Sequence, residues 1–170
     1  MSGGSYFLYP MANLSTLYVK KGGEYAIDVY ERFGFATGEF SFPYKANPKD
    51  FAARNVPGED GERVYFPDRT YMEAYDISIQ FKYVGALSAY YTAYRNFMEF
   101  MTGLDGQGTN LIIYSPWHRI GRKDVYVKSI DEPVFKRVGD ECHISVKFTL
   151  RVTNPVEDVV LIPNIQEMPQ

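Results

Sequence analysis

Two long stretches of this chain alternate apolar and polar residues without a break. In residues 143–152, Ile144, Val146, Phe148, Leu150 and Val152 take one side, and Ser145, Lys147, Thr149 and Arg151 the other. In residues 76–84, Ile77, Ile79, Phe81 and Tyr83 stand against Ser78, Gln80 and Lys82. A period of two belongs to a strand with one buried face. Between these stretches the period changes. Tyr90, Tyr91, Tyr94, Phe97, Met98 and Met101 recur at helical spacing. The spacing predicts a helix over about residues 88–102, with Ser88 as its N-cap and Gly103 closing it in a left-handed conformation. Residues 110–114 (NLIIY) then read as another strand, so a strand–helix–strand unit over residues 76–116 organises the chain. Its helix is expected to cover one face of a sheet.

The flanking segments add further strands and turns. Residues 6–9 read as a short strand stopped by Pro10. Residues 14–19 and 25–30 fit a hairpin around Gly22 and Gly23, with Leu17 and Val19 facing Tyr25, Ile27 and Val29. A helical reading of residues 24–33 competes with it. Residues 115–124 read as a turn carrying the sole tryptophan, Trp117, and the basic residues Arg119, Arg122 and Lys123. Strand character resumes over residues 124–130, and residues 133–138 read as its hairpin partner or as a bent strand. Residues 44–68 are polar and hold Pro48, Pro57, Gly58, Gly61 and Pro67, which reads as a long loop. Such a loop inside a compact domain is usually functional or disordered. After Asn154 and Pro155, the tail of residues 156–170 carries one apolar run, 159–162 (VVLI), expected to pack as an edge strand or to reach a neighbouring subunit. Together these elements predict one domain over residues 1–170. Its class is mainly β (α+β): an antiparallel β-sandwich or barrel with one flanking helix.

Composition sharpens this picture in few places. With 15 Tyr and 12 Phe among 170 residues, the aromatic share favours pleated surfaces. A net charge of −3 gives no general basic face for nucleic acid, although a local basic patch is compatible with it. The single cysteine, Cys142, excludes an internal disulfide and a multi-cysteine zinc site, which favours an intracellular origin over a secreted protein without disulfides. The N-terminus has neither the basic nor the apolar region of a signal peptide, and no stretch approaches the length of a membrane span.

Catalytic chemistry finds little footing. His118 and His143 are far apart and lack metal-ligand spacing. Cys142 adjoins His143, but neighbours along a strand point to opposite faces, which spoils a nucleophile pair. Residues 103–108 (GLDGQG) follow a helix where a phosphate loop would precede one, and they lack its Gly-Lys-Ser/Thr ending. The acids Asp60, Glu62, Asp131, Glu132, Asp140 and Glu141 lie near turns and read as solvated charges. No cofactor is implied and no metal site is expected. The basic cluster beside Trp117 reads either as a hairpin tip kept soluble by charge or as a contact for phosphate or an acidic partner. The helix's tyrosines suit a surface apolar at one end and wet at the other, such as a subunit interface.

The order of elements is more informative than any single residue. A Pro/Gly loop containing residues 57–61 (PGEDG) precedes the strand entered at residues 71–76 (YMEAYD). A helix of about four turns follows, then the strand 108–114 (GTNLIIY), a strand hairpin from Gly121 onward, and a long alternating strand ending at Asn154 and Pro155. Over roughly residues 50–155 this order resembles the N-terminal ring domain of phage distal tail proteins and, by extension, the tail-tube fold. The resemblance implies a β-sandwich or barrel with one helix on its flank, closing as a homo-hexameric ring around the tail channel. It implies no catalytic residues. Its partners would be further copies of the chain and other tail proteins, with DNA passing through the channel but no sequence-specific contact. Its location would be the virion tail, after synthesis in the bacterial cytoplasm. On this reading the assembly residues lie in the loop 44–68 (Pro57, Gly58, Asp60), the hairpin tip 115–124 (Trp117, Arg119, Arg122, Lys123) and the tail 156–170 (Val160, Ile162). Two other readings stay open. One is a glycan- or ligand-binding β-sandwich using Trp117, Tyr114 and Tyr126; the other is an enzyme on a β-scaffold using turn carboxylates.

Overall fold

The structure is a computed structural model that describes residues 14–43 and 47–163. The strand expected at residues 6–9 lies outside the described residues, as do residues 44–46 of the loop and 164–170 of the tail. The elements in chain order are β1 (Tyr18–Lys21), β2 (Ile27–Asp28), α1 (Val29–Phe33), β3 (Ala36–Thr37), β4 (Ala53–Arg54), β5 (Arg63–Val64), β6 (Tyr75–Ala86), α2 (Tyr90–Thr102), β7 (Leu111–Ser115), β8 (Ile120–Ile130), β9 (Val134–Val138) and β10 (Glu141–Val152).

The two alternating stretches become the centre of the sheet. β6 and β10 pair antiparallel along their full length, from Glu141 opposite Ala86 to Val152 opposite Tyr75. Their inward sides, Ile77, Ile79, Phe81 and Tyr83 on β6 and Ile144, Val146, Phe148 and Leu150 on β10, are buried as the period requires. The sheet runs β2-β1-β7-β8-β10-β6-β3. Its β3 end meets the segment leading into β1, where the Thr37 N–H donates to the Ser15 carbonyl at 2.9 Å. An antiparallel sheet that rolls up in this way protects its edges and encloses one core. Leu17, Val19, Leu111, Ile113 and Val125 complete that core from the other strands.

α2 covers the roll, as its spacing predicts. Phe97 and Met101 are fully buried, and the Phe97 ring lies 4.2 Å from Phe35, 5.1 Å from Phe81 and 5.4 Å from Phe148, centroid to centroid. Gly103 closes the helix with φ 81°, its N–H reaching the Glu99 carbonyl. The start differs from the expected capping. Ala89 occupies the cap position with no side-chain bond, because a backbone turn (Ala89 N–H to Ala86 O, 3.0 Å) already delivers the chain from β6 into the helix.

In four places the structure adds to the expectations, decides between them or corrects them. Among the described residues a second, short helix, α1, joins the flanking one, and its cap, Asp28, accepts from the N–H groups of Tyr30 and Glu31. The competing readings of residues 14–33 each hold in part, since β1 and β2 pair for only two positions before Asp28 turns the chain into α1. The turn at residues 115–124 is shorter than expected. β8 already begins at Ile120 and absorbs Gly121, Arg122, Lys123 and Asp124, with a register shift against β7 and Asp124 at φ 55°. Finally, β9 pairs with β10 rather than folding back on β8. β8 and β9 lie one after the other along the same edge of β10, and the bend between them is pinned by the Asp131 N–H on the Lys147 carbonyl. The bent-strand reading of residues 133–138 is therefore the apt one.

Lys21, beside the turn at Gly22 and Gly23, is buried. Its ammonium bonds both carboxylate oxygens of Asp105 at 3.1 Å and sits 4.4 Å from the centre of the Phe100 ring. This ties β1 to the turn after α2. Burial pushes the Asp105 carboxyl up, but bonds from the Gln107 N–H and from Lys21 outweigh it and leave it below the usual carboxylate range. Removing one partner of a buried pair leaves an uncompensated charge. Asp105→Ala should lower unfolding stability by about 3 kcal/mol in denaturant titration, and Lys21→Met combined with Asp105→Asn should recover most of that loss.

Candidate assembly site

The segment expected to be a structureless loop is a projecting β-arm over its described part. Pro48 bridges to Met72 at its base, the Lys49 N–H reaches the Tyr71 carbonyl, and β4 pairs with β5 further out. The turn cluster at residues 55–62 forms the tip, with Gly58 at φ 86° and Gly61 at φ 75°, conformations that suit glycine. From base to tip the arm runs ten residues, roughly 30 Å in extended geometry. Pro57, Gly58 and Asp60 are exposed there. So are four large aromatics that the sequence reading did not single out: Phe51 (42%), Tyr65 (71%), Phe66 (73%) and Tyr71 (54%). Phe51 and Phe66 pack edge to face at 5.8 Å, so the arm's own contacts shield them only in part. Among the described residues β4 and β5 pair with each other and with no strand of the body. A two-stranded hairpin standing alone is marginal in water. The signal was available in sequence, since Phe51, Tyr65 and Phe66 are large aromatics inside an otherwise polar loop.

The hairpin tip and the tail form one structural unit. Trp117 stands exposed (67%) at the β7–β8 turn beside exposed Arg119. His118 is pinned there, its Nδ1 2.7 Å from Ser115 Oγ and its Nε2 3.1 Å from the Phe40 carbonyl. Arg122, expected in a basic surface cluster, is fully buried. Its guanidinium donates to the Gly121 carbonyl and pairs with Asp158 of the tail. It also meets Tyr75, whose hydroxyl burial pushes up while the guanidinium pulls it back. The β7–β8 register explains the correction: residue 122 lies opposite the buried Ile113, and the irregularity at Asp124 puts it on the same side as Val125. Lys123 is half-buried and pairs with Glu157 at 2.7 Å.

The described tail forms no strand. It packs on its own subunit through these two ion pairs and through the Val159 N–H on the Gly121 carbonyl (3.3 Å), with Leu161 buried. Val160 (71%) and Ile162 (76%) point away and are exposed. A Cβ at position 121 would lie 1.8 Å from the Val159 carbonyl oxygen, so only glycine permits this seat.

The residues of the two other readings do not converge. Tyr114 stacks on Tyr18 at 5.9 Å, Trp117 lines a cleft of about 650 Å³ with Leu14, Glu39 and His118, and Tyr126 lines a different cleft with Met101 and Ser129. Asp60 and Glu62 sit on the arm tip, Asp131 and Glu132 in the β8–β9 bend, and Asp140 and Glu141 at the β9–β10 turn. Among the described residues no group of three or more His, Cys, Asp or Glu residues is placed to hold a metal, and no helix is long and apolar enough to cross a membrane. The outer face of the sheet carries one ordered charge cluster, in which Asp76 bonds Lys128 at 2.8 Å and Arg151 at 3.0 Å.

No protein-family model and no curated protein matches the chain. Among solved structures it is similar to the SPP1 Dit protein, described as a paradigm of the hub adsorption apparatus in phages that infect Gram-positive bacteria. The identity is 14% and the TM-score 0.45, over 82% of this chain and 50% of that one. The chain thus spans half the length of that protein, and a likeness of this depth assigns no function.

Two outcomes follow from the geometry. Gly121→Ala should unseat the tail, exposing residues 156–163 to limited proteolysis while the rest of the domain resists, at a cost of about 1–3 kcal/mol in melting experiments. The hydrogen bonds from Lys128 and Arg151 hold the Asp76 carboxyl below its ordinary value of 3.8. A depressed folded-state value contributes stability above the unfolded value and loses it as pH falls through the folded one. Asp76→Asn should therefore cost under about 1 kcal/mol at pH 7, as an exposed cluster does. The difference from the parent should start to shrink as pH falls below about 4 and vanish only below the depressed folded-state value.

Proposed function

We propose that this chain is a non-enzymatic structural subunit of a phage or prophage tail that assembles with its own copies as a homo-hexameric ring around the tail channel. The observation that carries the assembly reading is the arm. A hairpin of up to roughly 30 Å in extended geometry leaves the body with Phe51, Tyr65, Phe66 and Tyr71 exposed and, among the described residues, no strand of its own subunit paired with it. Exposed aromatics of this kind are the side chains that anchor protein–protein interfaces. The order of elements in the sequence supports a tail protein in particular, and the rolled β domain with a helix on its flank agrees with the architecture that order implies. Further tail proteins would contact the exposed tip at Trp117 and Arg119 and the exposed tail residues Val160 and Ile162.

The test is assembly itself. Native mass spectrometry and electron microscopy of the full chain over rising concentration should show a closed ring. Tyr65→Ser with Phe66→Ser should weaken association by more than roughly thirtyfold, the loss of one interface anchor. At concentrations where the parent is monomeric the melting temperature should change little, because Tyr65 and Phe66 are exposed and Phe66 gives up only its edge contact with Phe51. A parent protein that remains monomeric at every concentration would sink the proposal.

A further inference from the structure

The outer face of the β9–β10–β6 layer combines charge and apolar surface in a way the body of the protein does not use. The ladder places Val134 opposite Ser145 and Ser145 opposite Lys82; one step along, Lys136 faces His143, which faces Val84. Lys147, two residues from Ser145, lies opposite Gln80. Strands about 4.8 Å apart and alternate residues about 6.7 Å apart put Lys82, Lys136 and Lys147 on one small patch. All three lysines are exposed, and none has an acidic partner within ion-pair distance among the described residues. Val84 (57%), Val134 (64%) and Val138 (45%) lie exposed between and beside them. Of the acids on this face, Glu141 sits 3.6 Å from His143, and Asp76, further along β6, is held by Lys128 and Arg151. A basic, valine-studded sheet face stands out on a chain of net charge −3.

The arm tip has the complementary character. Residues 56–62 (VPGEDGE) hold three carboxylates and no base. Glu59 is taken by Arg63 of the same arm, which leaves Asp60 and Glu62 for a partner, next to the apolar Val56 and exposed Pro57. We propose that the arm tip of one copy docks on the Lys82–Lys136–Lys147 face of a second copy, its carboxylates among the lysines and Val56 and Pro57 on the exposed valines. This inference rests on the ring reading and names its contact. Donor and acceptor are different surfaces of the same chain, so the contact is head-to-tail, and it gives a ring where the rotation per copy closes. Opposed charges of this kind fix register and partner choice, and salt weakens them.

Charge reversal tests it. Lys136→Glu with Lys147→Glu should weaken self-association of the full chain at least tenfold, and so should Asp60→Lys with Glu62→Lys, each with an unchanged melting temperature at concentrations where the parent is monomeric. The four changes combined in one chain should restore assembly. A 1:1 mixture of the two double variants should also restore it, as alternating particles in native mass spectrometry. If the parent forms rings and both double variants form them equally well, the docking contact is wrong while the ring stands. If the parent never associates, both fall. If the lysine changes abolish binding to a DNA fragment and leave the rings intact, the face belongs to nucleic acid and the inference is overturned.

Discussion

The β6–β10 ladder is the constraint on which the rest of this molecule depends. Twelve paired positions per strand fix which side of each residue faces inward, and one face of the ladder is packed by Phe97 of α2. A slip of one residue would turn Phe81 and Phe148 into solvent and Lys82 and Lys147 into the core. The register is therefore secured by the same apolar contacts that it creates. Its outward face follows as a by-product, and so does the position of β9, which can only extend β10 beyond the bend at residues 131–133.

Much of this was legible in the chain, and the reasons are physical. Period-two alternation in residues 76–84 and 143–152 fixed the central strands because one face is buried and the other wet. Helical spacing and Gly103 fixed α2 and its end. What stayed hidden depended on partners distant in sequence. Arg122 reads as a turn charge until Asp158, 36 residues on, is seen beside it. Lys21 lies beside a hairpin turn, and its burial shows only when Asp105 arrives beneath it. The β8–β9 bend was ambiguous because Pro133 ends pairing without saying which neighbour is paired next.

The candidate surfaces show the same division. Pro57, Gly58 and Asp60 were found through turn composition, whereas the aromatics flanking them carry the stronger physical argument for contact. Val84, Val134 and Val138 occupy the parity that β6 and β10 otherwise give to polar side chains. That violation of the pattern marks an unusual face, but only the pairing of β9 with β10 brings the three valines and three lysines together. Departures from local rules of this kind are where a fold commonly carries its function.

The close seat of the tail on β8 has a bearing on how kindred chains should be compared. With Val159 lying against a residue that has no side chain, position 121 and the path of the backbone after Pro155 are not independent characters. A sequence with any larger residue at that site must route its terminal segment elsewhere, and with it whatever that segment touches. One codon thus records the course of a strap some forty residues downstream, and two proteins that differ there cannot be superposed through their ends.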